Sequence, residues 1–215
     1  MLKLDMRTTI YLIRHGECKG NREGLFRGRY DFPLNEVGRK QAIWLAEELK
    51  DVKFDAVYTS PLSRAMETAE AICRSQGIEP IVEQGFNNIN LGVWEGRPKA
   101  EVEKEQPKEF KLWQTEPEKL RMEGAETLAQ VQKRAVNTLV RITKERMGGG
   151  FAVVTHRAVL KPLIAGILGI PAPYFWKLHP ETASYSIIEH TPQRGYALSL
   201  FNQTKHLKEF IREDV

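Results

Sequence analysis

The sequence predicts an α/β protein with a mostly parallel, doubly wound sheet flanked by helices on both faces, and three observations carry that prediction. First, Thr9-Ile10-Tyr11-Leu12-Ile13, Phe54-Asp55-Ala56-Val57-Tyr58-Thr59 and Phe151-Ala152-Val153-Val154-Thr155 lack the polar alternation of a half-exposed strand, as strands buried on both faces do. Second, strand-like and helix-like segments alternate along the chain, the order that builds such a sheet. Third, each of these strands runs into a polar cluster: Arg14-His15-Gly16-Glu17, Ser60-Pro61-Leu62-Ser63-Arg64 and His156-Arg157. Sheets of this type bind ligands at the carboxyl ends of their strands.

The elements follow in order. After the first strand, residues 16–33 are polar and glycine-containing, too irregular for a helix and too long for a simple connector, so they are expected to frame a site. Asn35 is placed to cap a helix whose apolar positions Val37, Ala42, Ile43, Leu45, Ala46 and Leu49 recur at helical spacing. The strand at 54–59 leads to a helix near 62–75 that carries Arg64 in its first turn, where free backbone N–H groups favour an anion. Gly77 closes that helix and 78–82 reads as a short strand. Residues 83–124 are turn-rich, charged and interrupted by Pro98, Pro107 and Pro117, the composition of a lid or side wall. An amphipathic helix is expected over 127–147, through Leu128, Val131, Ala135, Leu139 and Ile142. Gly148-Gly149-Gly150 releases the chain into the strand that ends at His156, and a helix over about 158–168 follows. Strands at 183–189 and 196–201, joined through Thr191-Pro192-Gln193-Arg194-Gly195, form a hairpin whose edge can pair across a homodimer.

Composition narrows the function classes. The 215 residues suffice for one sizeable core, and no stretch has linker character, so a single domain over 1–215 is expected. With 41% hydrophobic and 28% charged residues, the chain belongs with folded globular proteins rather than disordered ones. No apolar run approaches the roughly 20 residues of a membrane span, and residues 1–7 hold no signal-peptide core; a cytoplasmic location is expected and a membrane partner is not. Cys18 and Cys73 are too few for a disulfide framework or a zinc site, so neither metal nor cofactor is expected. The net charge of +4 is spread among interleaved acids, unlike the one-sided basic stripe of a nucleic-acid binder. Arg14, Lys19, Arg22, Arg27 and Arg29 still crowd one loop, which suits a small anion.

Two imidazoles and at least two guanidiniums on one sheet rim describe a site for a phosphoryl group. Arg14-His15-Gly16-Glu17 resembles the signature of the histidine phosphatase superfamily, which includes cofactor-dependent phosphoglycerate mutases. The likeness continues through Asn21, Pro33-Leu34, Gly38, Gln41-Ala42, Ser60-Pro61-Leu62-Ser63-Arg64-Ala65, Thr68-Ala69, Leu91-Gly92, Trp94-Glu95-Gly96, Gly124-Ala125-Glu126-Thr127 and Thr155-His156. This resemblance implies a phosphoglycerate mutase-like fold and a metal-independent phosphatase of small phosphorylated metabolites. It implies that His15 is a nucleophile forming a phosphohistidine, with Arg14, Asn21, Arg64 and His156 around the phosphoryl oxygens; Arg27, from the cation-rich loop, is expected to bind substrate as well. A nitrogen nucleophile must be unprotonated, so one ring nitrogen of His15 is expected on a backbone carbonyl.

The chain departs from the family pattern at one consequential position. Where the superfamily usually carries a glutamate that protonates the leaving oxygen, alignment on Leu91-Gly92 and Trp94 places Asn88. An amide exchanges no proton near neutral pH, and loss of a general acid typically costs about 10²- to 10⁴-fold. Glu17, Glu83 and Glu95 are the carboxylates able to stand in, and a non-catalytic or weakly active phosphate-binding protein is the alternative. A mutase is disfavoured, because mutases of this type are usually longer. Cys18, Gly20 and Arg157 also replace common family residues; Cys18 is expected as a small packing residue. The stretch Asn202-Gln203-Thr204-Lys205-His206-Leu207 is similar to the end of the metal-independent phosphoserine phosphatases, which implies that His206 contacts the carboxylate of phosphoserine.

Overall fold

The computed structural model describes residues 6–211. Six strands form one sheet in the order β3-β2-β4-β1-β5-β6: β1 (Thr8–Arg14), β2 (Ala56–Thr59), β3 (Pro80–Val82), β4 (Gly150–Thr155), β5 (Tyr185–Thr191) and β6 (Gly195–Gln203). The first four strands run parallel, while β5 lies antiparallel to β1 and β6 antiparallel to β5, with β6 at the outer edge. The sheet is therefore mostly parallel, as the sequence predicts.

Side chains alternate across it and divide the apolar residues between two layers. Ile10, Leu12, Tyr58, Phe151 and Val153 pack with α5 (Leu128–Glu145) and α6 (Arg157–Leu168). Ile13, Val57, Ala152 and Val154 pack with α1 (Glu36–Glu48) and α2 (Ser63–Gln76) on the other face. The expected caps are present. Asn35 Oδ1 accepts the Gly38 N–H at 2.8 Å, and Thr127 and Gln130 form a reciprocal capping box at the start of α5. Gly77 ends α2 in the left-handed conformation, at φ +66°.

Several boundaries and faces differ from expectation. The second strand begins at Ala56, because Phe54 and Asp55 belong to the turn that enters it, where the Asp55 N–H donates to the Gly150 carbonyl. The third is trimmed to Pro80–Val82, and α6 begins one residue earlier than expected. On α1 the apolar Ile43 is 63% exposed while the polar Gln41 is fully buried. Gln41 turns inward because its Oε1 accepts the Glu17 N–H at 2.8 Å, a bond that outweighs its polarity.

Residues 83–124 form short 3-10 turns together with α3 (Lys99–Glu105) and α4 (Pro107–Thr115). Phe86, Ile89, Leu91, Trp94, Val102, Phe110, Trp113 and Leu120 from this stretch belong to the α5/α6 core layer, so it packs as a wall.

The loop after β1 lies directly on the first turn of α1. A Cβ on Gly16 would meet the Gly38 carbonyl oxygen at 2.6 Å, and a Cβ on Gly38 would overlap the Glu17 carbonyl oxygen. Backbone cannot retreat as a flexible side chain can, so Gly38→Ala is expected to destabilise by about 2 kcal/mol or more. In a chain of this size that lowers Tm by roughly 4–8 °C. An unchanged Tm in calorimetry would contradict this account of the β1–α1 crossing.

Candidate active site

The site follows from strand register. Arg14 of β1 pairs with Thr155 of β4, and Thr59 of β2 pairs with Val154 of β4. Carried one residue further, the β1–β4 register sets His15 beside His156 at the carboxyl edge, while the β2–β4 register sets Ser60 beside Thr155, one residue short of His156. Backbone bonds fix this arrangement: the His15 N–H donates to the Thr155 carbonyl and the Ser60 N–H to the Val154 carbonyl, both at 3.0 Å. The two imidazoles face each other with ring centroids 5.0 Å apart.

Each ring is held from behind. His15 Nδ1 lies 2.6 Å from the Gly16 carbonyl oxygen, which can only accept, so Nδ1 carries the proton and Nε2 keeps its lone pair. His156 Nε2 lies 2.7 Å from the Ser60 hydroxyl. Both rings are buried. Burial pushes the His15 pKa well below the usual histidine value; the charges of Arg64 and Arg14 push the same way, against the Gly16 hydrogen bond. His156 is lowered in the same sense by burial, then by Arg64 and the His15 ring. Both are neutral at neutral pH.

The cations nearby are bound to carbonyl oxygens. Arg14 Nη1 donates to the Pro180 carbonyl at 2.9 Å. Arg64 donates to the Tyr30 and Gly28 carbonyls at 3.0 and 2.8 Å, and its nearest carboxylate, Asp31, stands 3.9 Å away. Burial lowers Arg64 to about 10, which still leaves it protonated at neutral pH. Arg27 Nη1 donates to the Gly20 carbonyl at 2.9 Å.

A cavity of about 570 Å³ opens over the histidines. His15, Asn21, Arg27, Asn88 and His156 line it, whereas Arg14, Arg64 and His206 are not among its lining residues. Arg14 and Arg64 are fully buried and act on the histidines from outside that lining. His206 departs furthest from expectation. Its Nε2 lies 3.0 Å from the Ala183 carbonyl and its ring packs against Tyr185, which directs it to β5 instead of the cavity. Asn21 Oδ1 accepts from the Cys18 N–H at 2.8 Å and from the Cys18 thiol at 3.2 Å, which leaves the Nδ2 end as the donor side. Cys18 is accordingly buried among these groups.

Asn88 is fastened on every side. Its Nδ2 donates to the Gly28 carbonyl at 2.7 Å and its Oδ1 accepts the Ile89 N–H at 2.9 Å. Its backbone carbonyl accepts from Arg29 and Arg134, both of which also bond Glu126. Burial would push the Glu126 carboxyl up, but hydrogen bonds from Arg134 and the Asn90 N–H, with the charges of Arg134 and Arg29, hold it below its usual value. None of the three stand-in carboxylates lines the cavity. Glu17 accepts from Arg22 and Asn35, Glu83 pairs with Arg141, and Glu95 accepts the Arg29 and Leu91 N–H groups.

Sequence reasoning missed the Ser60 hydroxyl and the arginine clamp on residue 88. It also missed the far wall of the cavity, where Phe26, Trp113, Phe175 and Trp176 meet. Only the closeness of Phe175 to Trp176 marks that wall along the chain. Among the described residues no cluster of three or more His, Cys, Asp or Glu is placed to hold a metal ion, and no helix is long and apolar enough to cross a membrane.

Comparison with known proteins places this geometry in a family. The profile of the histidine phosphatase superfamily (branch 1) matches residues 10–204. Phosphoserine phosphatase 1 of Hydrogenobacter thermophilus is 35% identical over 204 residues, which is 95% of this chain and 96% of that protein. The structure of Bacillus stearothermophilus YhfR superposes with a TM-score of 0.89 at 32% identity, covering 94% of this chain and all of that one. A phosphoserine phosphatase from Entamoeba histolytica, solved in complex with 3-phosphoglyceric acid, gives 0.83 at 27% identity over 93% and 99% of the two chains.

The lowered histidine pKa values have a measurable consequence. In an NMR titration the His15 and His156 ring signals are expected to remain those of neutral imidazole as pH falls through 6.5, and to move only at lower pH. Saturating inorganic phosphate should raise both midpoints, since an anion favours the protonated ring. A midpoint at or above 6.5 in the free protein would contradict the assigned electrostatics.

Proposed function

Because the chain belongs to the histidine phosphatase superfamily, we propose that it hydrolyses a phosphomonoester through a phosphohistidine on His15, without a metal ion. The observation that carries this reading is the paired imidazoles, with His15 Nδ1 on the Gly16 carbonyl and Nε2 left as a neutral nucleophile.

In the first step His15 Nε2 attacks phosphorus, the P–Nε2 bond forms and the bond to the leaving oxygen breaks. In the second, water attacks the same phosphorus, the P–Nε2 bond breaks and inorganic phosphate departs. The Asn21 amide, Arg27 and His156 serve the phosphoryl oxygens from the cavity wall, while the buried charges of Arg14 and Arg64 stabilise the anion from behind. Preorganised donors of this kind act on charge already fixed in place, so little reorganisation is needed as the transition state forms.

Asn88 decides which esters react well. Its amide gives no proton to a departing alkoxide, and among the described residues no carboxylate lines the cavity in its stead. Esters whose leaving groups depart as anions therefore turn over fastest. Phosphoserine is the candidate suggested by the names of the relatives, and as an alkyl ester it is turned over slowly. The tie of His206 to the Ala183 carbonyl speaks against recognition of its carboxylate by that residue. A cytoplasmic setting belongs to the same reading, and a homodimer would form through β6, the outer strand. The second reading, a phosphate-binding protein with little turnover, is favoured by the same Asn88.

Acid-labile, alkali-stable label on His15 after brief mixing with labelled p-nitrophenyl phosphate is expected, and His15→Ala should abolish both label and turnover. Chelator should leave the rate unchanged. Phosphate binding without label would favour the binding protein, and a chelator-sensitive rate would exclude the metal-free mechanism. Asn88→Glu is expected to speed phosphoserine hydrolysis about 10²-fold or more while changing p-nitrophenyl phosphate little. Equal effects on both esters would refute the missing-acid account.

A further inference from the structure

A phosphoryl group fills only a small part of the space above the histidines. At about 570 Å³ the cavity lies within the range of roughly 300–1,000 Å³ that encloses drug-sized ligands, far more than a three-carbon amino acid requires. Beyond the polar floor one side of it is aromatic, while Arg22, Lys99 and Arg157 stand elsewhere on the lining, Arg157 5.5 Å from the Trp176 ring centre. Phe26 meets Trp113 edge-on at 5.6 Å between centroids, Trp113 meets Phe175 at 5.4 Å and Trp176 at 5.8 Å, and Phe175 meets Trp176 at 4.8 Å.

Polar bonds pin this wall in place. Trp176 Nε1 donates to the Trp113 carbonyl at 3.0 Å, and the Tyr174 and Phe175 N–H groups donate to Glu118 at 2.7 and 2.8 Å. The ammonium of the fully buried Lys161 sits 4.4 Å from the Phe175 ring centre and 4.5 Å from that of Trp176. Rings held this firmly lose little freedom when a ligand arrives, which is how apolar area becomes affinity.

We propose that this wall is a leaving-group pocket selecting phosphomonoesters whose leaving group carries an apolar ring, aryl esters above all, over esters of small amino acids. The phosphoryl group sits at His15 and His156 while the ring lies against Phe26, Trp113, Phe175 and Trp176. The proposal rests on the phosphatase reading for its chemistry. It agrees with Asn88, because a phenol leaves as an anion without the proton that an alkoxide needs.

Binding of non-hydrolysable phosphonates to the intact protein separates the pocket from the chemistry. Calorimetry is expected to give 1-naphthylmethylphosphonate an affinity at least about tenfold above methylphosphonate and above 2-amino-4-phosphonobutyrate, the phosphonate counterpart of phosphoserine, because a buried ring adds apolar area. Trp176→Ala should remove most of that advantage and leave methylphosphonate binding unchanged. Leu25→Trp, which fills the cavity from the opposite loop, should do the same and serves if Trp176→Ala does not fold. In turnover, benzyl phosphate should exceed phosphoserine in kcat/KM by at least about tenfold, although both are alkyl esters of similar leaving tendency. Equal phosphonate affinities, tighter binding of the amino-acid phosphonate, or variants that keep the ring preference would each overturn the pocket. Ring-selective binding without phosphohistidine would instead sink the hydrolytic reading and spare the pocket.

Discussion

Parallel pairing of β4 between β1 and β2 is the constraint on which the site depends. Its register sets His15 beside His156 at one sheet edge, with Ser60 one residue behind and bonded to His156 through its hydroxyl, so the distance between the imidazoles is a property of the backbone ladder. Loops then have only to supply surroundings. The close contact of Gly16 and Gly38 holds the loop after β1 against α1, and Gln41 and Asn35 bind Glu17 within it. A one-residue slip of β4 would turn His156 to the other face of the sheet and dissolve the pair.

Charge is the second organising element. Arg14 and Arg64 are buried and donate to main-chain carbonyls. Carbonyl oxygens satisfy N–H groups without cancelling the charge, so the positive potential remains available to an anion. Burial, reinforced by the same potential, keeps both imidazoles neutral, which a nucleophilic nitrogen requires. Burying cations weakens a fold, and the two apolar layers around the sheet offset that cost.

The fold was legible because it rests on local signals that agree with one another: apolar strands without alternation, helices with capped starts, and glycines at their ends. Ile43 and Gln41 show where such reading stops, since hydrophobicity predicts the inward face of α1 only until a hydrogen bond from Glu17 claims it. The site was legible in its residue types and less so in their positions. Arg14 and Arg64 stand outside the cavity lining, and His206 is turned toward Ala183. In each case a carbonyl from a distant segment determines the direction of the side chain, and no spacing along the chain encodes that partner. The same holds for Glu17, Glu83 and Glu95, whose carboxylates are occupied by arginines and N–H groups elsewhere.

The sequence by itself determined the α/β class, the strand ends that carry the histidines and arginines, and the absence of a carboxyl at position 88. These depend on residue identity and short-range periodicity. Only tertiary structure decided the pairing of His15 with His156, their neutral state, and the aromatic wall drawn from Phe26, Trp113, Phe175 and Trp176. Electrostatic potential and cavity shape are sums over groups that the chain brings together from far apart, and they exist only once it has folded.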